Sequence, residues 1–206
     1  MEQMQILLAI LVLLPFVSAL LLALCGSDRM RRLIVYGSAG VLMISAVAFA
    51  VCFFSGENLQ LRFLQSGGII DHTMLALEAG FAVLITVLSI KYRRYYVAVL
   101  SIVQTVLTFV YELGGYKPAV QPYNLFTDQL TVIMVLIIAV VGTLITVYAV
   151  GYMRDYHNHH KEYTDRRRFF FAMLYVFLGA MFGLVLSNSL LWLYFFWERT
   201  SLLSFL

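Results

Sequence analysis

The chain has 206 residues, of which 62% are apolar and only 12% charged, with a formal charge of +3. A soluble domain carries about 25% charged residues spread through its elements, whereas here the apolar residues fall in segments of roughly 18 to 23 with the charges pushed between them. That pattern excludes a soluble domain and predicts an all-α polytopic membrane protein, a single membrane domain of about seven transmembrane helices.

The first segment, 5–25, tolerates Pro15 because neighbouring helices or water can re-satisfy the carbonyl that a proline frees. It lacks a basic n-region and is too long for a signal-peptide core, so it reads as a span and not as a cleaved leader. Arg29, Arg31 and Arg32 lead into the second segment, 33–54, whose Gly37, Ser38, Ala39 and Gly40 suit close helix approach. In the connection after it, 55–70, Leu59, Leu61 and Phe63 alternate as in a short strand on the membrane surface, closed by Gly67 and Gly68. The third segment, 71–90, carries Glu78 and ends at Lys91, Tyr92, Arg93 and Arg94; the fourth, 95–113, carries Gln104 near its centre. Gly114, Gly115, Pro118 and Pro122 break any helix before Asp128, which stands where a carboxylate caps the fifth segment, 129–153.

The largest polar loop, 154–168, precedes the sixth segment, 169–186. Only Ser187, Asn188 and Ser189 separate it from the seventh, 190–206, so the two must form a tight antiparallel hairpin. The seventh stops on Phe205 and Leu206 with no interfacial residue after them, and the chain is expected to be the N-terminal portion of a longer subunit. Cys25 and Cys52 show no CxxC or Cys/His spacing and read as small buried hydrophobes. His157, His159 and His160 stand together without a cysteine or spaced carboxylate, so a solvated loop is favoured over a metal site.

Loop charges give an orientation. The odd-numbered connections hold three, three and five Lys or Arg, whereas the even-numbered ones hold one (Arg62), one (Lys117) and none. By the positive-inside rule the odd connections are cytoplasmic and the N-terminus lies outside, in the cell membrane of a prokaryote.

The seventh segment contains the chain's most costly residue. Glu198 lies nine residues from Ser189, roughly 13 Å deep at about 1.5 Å per residue, near the middle of a hydrocarbon core about 30 Å thick. A charge at that depth costs on the order of 2.5 to 3.5 kcal/mol, so intramembrane carboxylates tend to face protein or water and to mark ion routes. Helical spacing puts Tyr194, Phe195, Ser201, Leu202 and Phe205 on its face, an apolar wall with hydroxyls nearby that would favour the neutral carboxyl. The alternative is that a fixed salt bridge neutralises Glu198 and merely glues helices. Arg199, about 100° around the helix, is expected to find its counter-ion on another helix, another subunit or a lipid. Glu78 and Gln104 are expected to serve structural hydrogen bonding between the third and fourth segments.

The run LGAMFGLVLSNSLLWLYFFWERTSLLSFL, 178–206, resembles the antiporter-like membrane subunits shared by respiratory complex I, the Mrp cation/proton antiporters and the membrane-bound energy-converting hydrogenases. Trp197, Glu198, Thr200, Ser201, Ser204, Phe205 and Leu206 match the W-E-x-T-S-x-x-S-[FY]-L pattern of the hydrogenase and Mrp branches, and 128–153 is similar to the helix that precedes this hairpin in the family. The resemblance implies that Glu198 is the proton-channel acid, working with a lysine on a later broken helix; Tyr194, Arg199 and Ser201, beside it on the same helix, are the candidates to support it. Arg199 departs from the pattern, since the family usually has an uncharged residue there. Residues 71–113 look like an inserted helical pair, associated with hydrogenase-type subunits.

The function so implied is proton or sodium translocation in a multisubunit energy-converting hydrogenase or complex I-like oxidoreductase; the alternative is an Mrp-type sodium/proton antiporter subunit without a redox partner, and a third reading is a structural anchor. Expected partners are other membrane subunits, lipid and, indirectly, a peripheral Fe–S or hydrogenase-type arm, with no nucleic acid. No iron–sulfur cysteine set, phosphate-binding glycine loop or nucleophile elbow occurs, so no cofactor, metal or catalytic residue is assigned to this chain. Cysteines introduced at 91–94 or 154–168 should stay protected from impermeant thiol reagents in sealed cells, while one beside Lys117 should label; labelling of 154–168 from outside would overturn the seven-crossing topology.

Overall fold

The structure, a computed structural model, describes residues 2–56, 61–65, 69–93, 95–113, 123–159 and 166–205. Seven helices follow one another, α1 (Glu2–Leu24), α2 (Asp28–Phe54), α3 (Ile69–Lys91), α4 (Tyr95–Leu113), α5 (Gln129–His159), α6 (Arg167–Leu186) and α7 (Leu190–Phe205), with strands β1 (Leu61–Gln65) and β2 (Tyr123–Thr127) between α2 and α3 and between α4 and α5. By length and composition α1, α2, α3, α5 and α6 can each cross a membrane; α4 offers a shorter apolar stretch, Tyr95–Tyr111, and α7 has 16 residues. The chain is an all-α polytopic membrane protein.

α1 packs on α6 and α2, α2 on α5, and α6 on α7, while α3 and α4 pair with each other and meet the rest chiefly through α3 and α7. The core therefore sits between α1, α2, α5 and α6, where Leu11, Leu22, Val35, Leu42, Val132 and Val135 are fully buried. Many other large apolar side chains, such as Leu13 and Leu20 on α1, Ile44 on α2 and Leu144 on α5, face outward, as a lipid-facing surface requires. Polar glue is sparse and internal. The Tyr175 hydroxyl, fully buried on α6, lies 2.6 Å from the Ser38 hydroxyl and donates to the Val35 carbonyl at 3.1 Å, joining α6 to α2.

Two elements differ from the expectation. α5 continues to His159, six residues beyond 153, because nothing in RDYHNH breaks a helix; Tyr148, Tyr152 and Tyr156 stack at successive turns with centroids 6.2 and 6.3 Å apart. His157 and His159 thus ride on the helix end, where a His159 ring nitrogen meets the Asp155 carbonyl, and His160 lies outside the described residues. The alternation around 59–63 does yield strand β1, but its partner β2 falls in the connector read as irregular. The pairing is antiparallel, from Leu61 opposite Thr127 to Gln65 opposite Tyr123. Leu59, Gly67 and Gly68 lie outside the described residues.

β2 also reaches the α6–α7 turn. Leu125 bridges to Ser187, the Asn188 amide donates to the Asn124 carbonyl at 2.8 Å, and the Asn188 side chain donates to the Tyr123 carbonyl at 2.9 Å. The connections after α2, before α5 and between α6 and α7 are therefore gathered at one end of the bundle. At the other end Arg167, opening α6, pairs with Asp28, opening α2, at 3.4 Å. These contacts require α2, α5, α6 and α7 to alternate in direction. Asp128 caps α5, accepting from the Thr131 amide at 2.8 Å; that hydrogen bond holds its carboxyl below the usual range, so the cap is complete above ordinary carboxylate pKa values and is lost as pH falls through the lowered one.

Close approach is achieved by glycines other than those expected. Gly37 and Gly40 have nothing within 4 Å of a Cβ added to them, whereas Gly142 meets Leu178, Gly179 meets Phe16 and Gly183 meets the buried Phe196 ring. A Cβ at Gly183 would stand 2.4 Å from that ring. Gly183→Ala should accordingly destabilise the α6–α7 hairpin by about 1–3 kcal/mol, while Gly37→Ala should change stability by less than about 0.5 kcal/mol, as read from thermal unfolding of the purified protein.

Candidate functional site

α7 starts from a fixed point. Its first turn is capped by the Ser189 hydroxyl, which accepts from the Trp192 amide at 3.3 Å, and the preceding Asn188 is tied to β2. Trp192 and Phe196 bury one side of the helix, with Phe195 edge-on to Phe196 at 5.3 Å. Two turns on, the helix presents Glu198 and Arg199 together.

Glu198 is held by two different donors. Its Oε1 accepts from the Gln104 side-chain amide on α4 at 3.2 Å, and its Oε2 lies 3.2 Å from Nη1 of Arg199. The second contact corrects the expectation that Arg199 cannot pair within its own helix. The Cα–Cβ bonds of adjacent residues diverge by about 100°, but two long side chains can curl toward each other, and packing leaves Arg199 little alternative. Its guanidinium lies 3.6 Å from the Phe81 ring centroid on α3 and 4.7 Å from that of Phe195, so aromatic faces close off its other directions. The Arg199 side chain is 8% exposed and that of Glu198 22%.

A second carboxyl completes the cluster. Glu78 on α3 is buried and within electrostatic reach of both Arg199 and Tyr194. The group thus contains two carboxyls and one guanidinium, and it is electroneutral when one carboxyl is protonated. Arg199 keeps Nε and Nη2 buried without a hydrogen-bond partner among the described residues, so its fork has donors to offer beyond the one that meets Glu198.

The remaining expected residues divide. Tyr194 does lie beside the charges, yet its buried hydroxyl finds no hydrogen-bond partner among the described residues. Ser201 is exposed, and its carbonyl accepts from Ser204; no hydrogen bond joins its hydroxyl to Glu198. Sequence reasoning assigned Gln104 and Glu78 to structural bonding between α3 and α4, and Phe81 to nothing; the signal available was that these polar residues fall near the middle of the one helical pair able to lean on α7. A cavity of about 720 Å³ lies between α4 and α7, lined by Leu107, Tyr111, Leu190, Tyr194 and Trp197 among others. It includes Thr108, whose hydroxyl donates to the Gln104 carbonyl, and so ends one turn from the Gln104–Glu198 contact.

Comparison with known proteins agrees with this architecture. The family described as NADH-Ubiquinone oxidoreductase (complex I), chain 5 N-terminus, matches residues 121–170, from β2 through α5 into α6. The Na(+)/H(+) antiporter subunit A1 of Staphylococcus haemolyticus is 32% identical over 112 residues, 54% of this chain and 13% of that protein. The Na(+)/H(+) antiporter subunit A1 of Staphylococcus aureus is 27% identical over 151 residues, 66% of this chain and 18% of that protein. The chain therefore spans less than a fifth of the length of these relatives. Over these stretches the sequence of this chain is similar to the antiporter-like membrane subunits of complex I and of the Na(+)/H(+) antiporters.

Proposed function

We propose that this chain is part of an ion-translocating membrane subunit in which Glu198 carries a proton during turnover. The observation that carries the reading is the division of one mid-helix carboxylate between a neutral donor, Gln104, and a cation, Arg199, with a second acid, Glu78, within reach of the same cation. A carboxylate whose neighbours can serve it in either protonation state can alternate between them at modest cost. As an anion, Glu198 uses Arg199; once protonated, it keeps the Gln104 contact and leaves the guanidinium to Glu78. Arg199 then positions charge and does not itself titrate, since a guanidinium stays protonated in proteins. Tyr194 supports the site as part of its wall, and Ser201 contributes only if the helix turns.

The complex in which this occurs has two readings. An energy-converting hydrogenase or complex I-like oxidoreductase, with a peripheral Fe–S arm driving the ion movement, is supported by α3 and α4, which form a separate pair beside the bundle as an inserted element would, whereas the WERTSLLSFL motif suits the hydrogenase and Mrp branches alike. A sodium/proton antiporter without redox partners is supported by the names of the staphylococcal relatives. Purification of the native complex separates them: an Fe–S or nickel-bearing subunit in stoichiometric amount establishes the first reading, and recovery of membrane subunits alone establishes the second. In either setting we read the protein as lying in a prokaryotic cell membrane, and the loop charges favour an N-terminus outside.

In vesicles reconstituted with the complete complex, Glu198→Gln should leave assembly intact and reduce ion movement about tenfold or more, while Glu198→Asp, one methylene shorter, should retain part of it. Parental ion movement by the Gln variant would remove Glu198 from the proton path and favour the helix-glue reading. Arg199→Leu should destabilise assembly by removing the cation from Glu198, by less than the roughly 3–5 kcal/mol of a fully buried pair because the Glu198 side chain is 22% exposed, and Arg199→Lys should be milder; unchanged thermal stability in Arg199→Leu would show that the cation is dispensable.

A further inference from the structure

At the end of the bundle that carries the α1–α2 and α5–α6 connections, the first turn of α2, the last turns of α5 and the first turn of α6 enclose a cavity of about 290 Å³. Its rim holds Arg31, Arg32, Arg154 and Arg167 together with Asp28 and Asp155. Arg31 is buried, ion-paired with Asp28 and 5.9 Å from the Phe171 ring, and Arg167 reaches the other oxygen of Asp28 at 3.4 Å. One carboxylate thus serves two guanidinia. Arg32 is exposed and donates from Nε to the Asp28 carbonyl at 3.4 Å, and Arg154 is exposed on α5. Among the described residues that line this concave space, four guanidinia stand with two carboxylates. The planar forks of arginine match the oxygens of a phosphate better than a point cation would.

The floor of the cavity differs from its rim. Tyr36, Val150 and Phe171 line it, and Tyr36 lies eight residues beyond Asp28, about 12 Å further along α2. Tyr36 and Leu33 are half or more exposed, so the floor opens on the helix surface that faces lipid. A free anion would use the rim alone, whereas a molecule with a phosphate head and an apolar tail would use both. Basic pockets between transmembrane helices on the cytoplasmic side are suited to anionic lipid headgroups, and the loop charges put this end there.

We propose that this pocket binds an anionic phospholipid, its phosphate on Arg32, Arg154 and Arg167 and an acyl chain along Tyr36 and Val150, so that the lipid clamps α2, α5 and α6 together. The test uses the purified full-length protein in detergent, titrated with short-chain phosphatidylglycerol, with phosphatidylcholine and with inorganic phosphate. Phosphatidylglycerol should raise the thermal midpoint, phosphatidylcholine and millimolar phosphate should not, and the double variant Arg32→Gln/Arg154→Gln should weaken the response to phosphatidylglycerol about tenfold or more. An equal response to phosphate would show a free-anion site, an equal response to phosphatidylcholine a general lipid effect, and an unaltered titration in the double variant a site elsewhere; each overturns the proposal. Should the double variant fail to fold, Arg154→Gln alone, at an exposed position, must retain fewer phosphatidylglycerol molecules per protein in native mass spectrometry, and equal retention overturns the proposal as well.

Discussion

A guanidinium that sits between helices, away from water, must be stabilised by its neighbours, and the arrangement around Arg199 is what that requirement produces. Two aromatic faces cover it, one carboxylate touches it, and a second lies within its field. No single contact would offset the loss of hydration, since even a good ion pair in a low-dielectric setting only roughly balances its desolvation. Several weak terms acting on one group do so together. The same sharing means that none of the partners is committed to it wholly, and a group held in this way can change partners.

This site is assembled from two parts of the fold. α7 belongs to the main bundle through α6, where Gly183 lets the Phe196 ring lie against the α6 backbone. Phe81, Glu78 and Gln104 come from the α3–α4 pair, which has few other contacts with the bundle. The β1–β2 ladder anchors both: β1 leads into α3, β2 leads into α5, and β2 also grips the turn from which α7 starts. The depth at which Glu198 meets Gln104 is therefore set at one end of the molecule, by five-residue strands, and transmitted along two helices.

Much of this was legible in residue order. Runs of apolar residues bounded by charges gave the all-α membrane class, since the bilayer allows few other ways to satisfy a backbone. The three-residue link 187–189 imposed the α6–α7 hairpin, and a lone Glu in an aromatic run marked the candidate site. What was not legible depends on long-range geometry. Which face α3 and α4 turn toward α7 is a packing outcome, so Gln104 and Glu78 were assigned to each other's neighbourhood and Phe81 was passed over. β2 hides in a connector rich in breakers, directly after Pro122, and its partner lies about sixty residues earlier. The glycines at 37 and 40 form an inviting small-residue stripe, yet the contacts fall at 142, 179 and 183, because a small residue permits close approach without requiring it.

The packing of α1 bears on how the molecule is made. The buried side of the first helix, including Phe16 against Gly179, is covered by the sixth, which emerges only after most of the described chain. A chain delivered to the membrane from its N-terminus thus holds α1 and α2 in lipid, with part of their eventual interface still open, through the insertion of α3, α4 and α5. Folding of the bundle waits on α6. Its arrival closes the α1 contact, brings Tyr175 to Ser38 and Arg167 to Asp28, and provides the turn that β2 holds. The charged helix α7 follows α3, α4 and α6, so its glutamate and arginine enter the apolar layer when those helices are already in place.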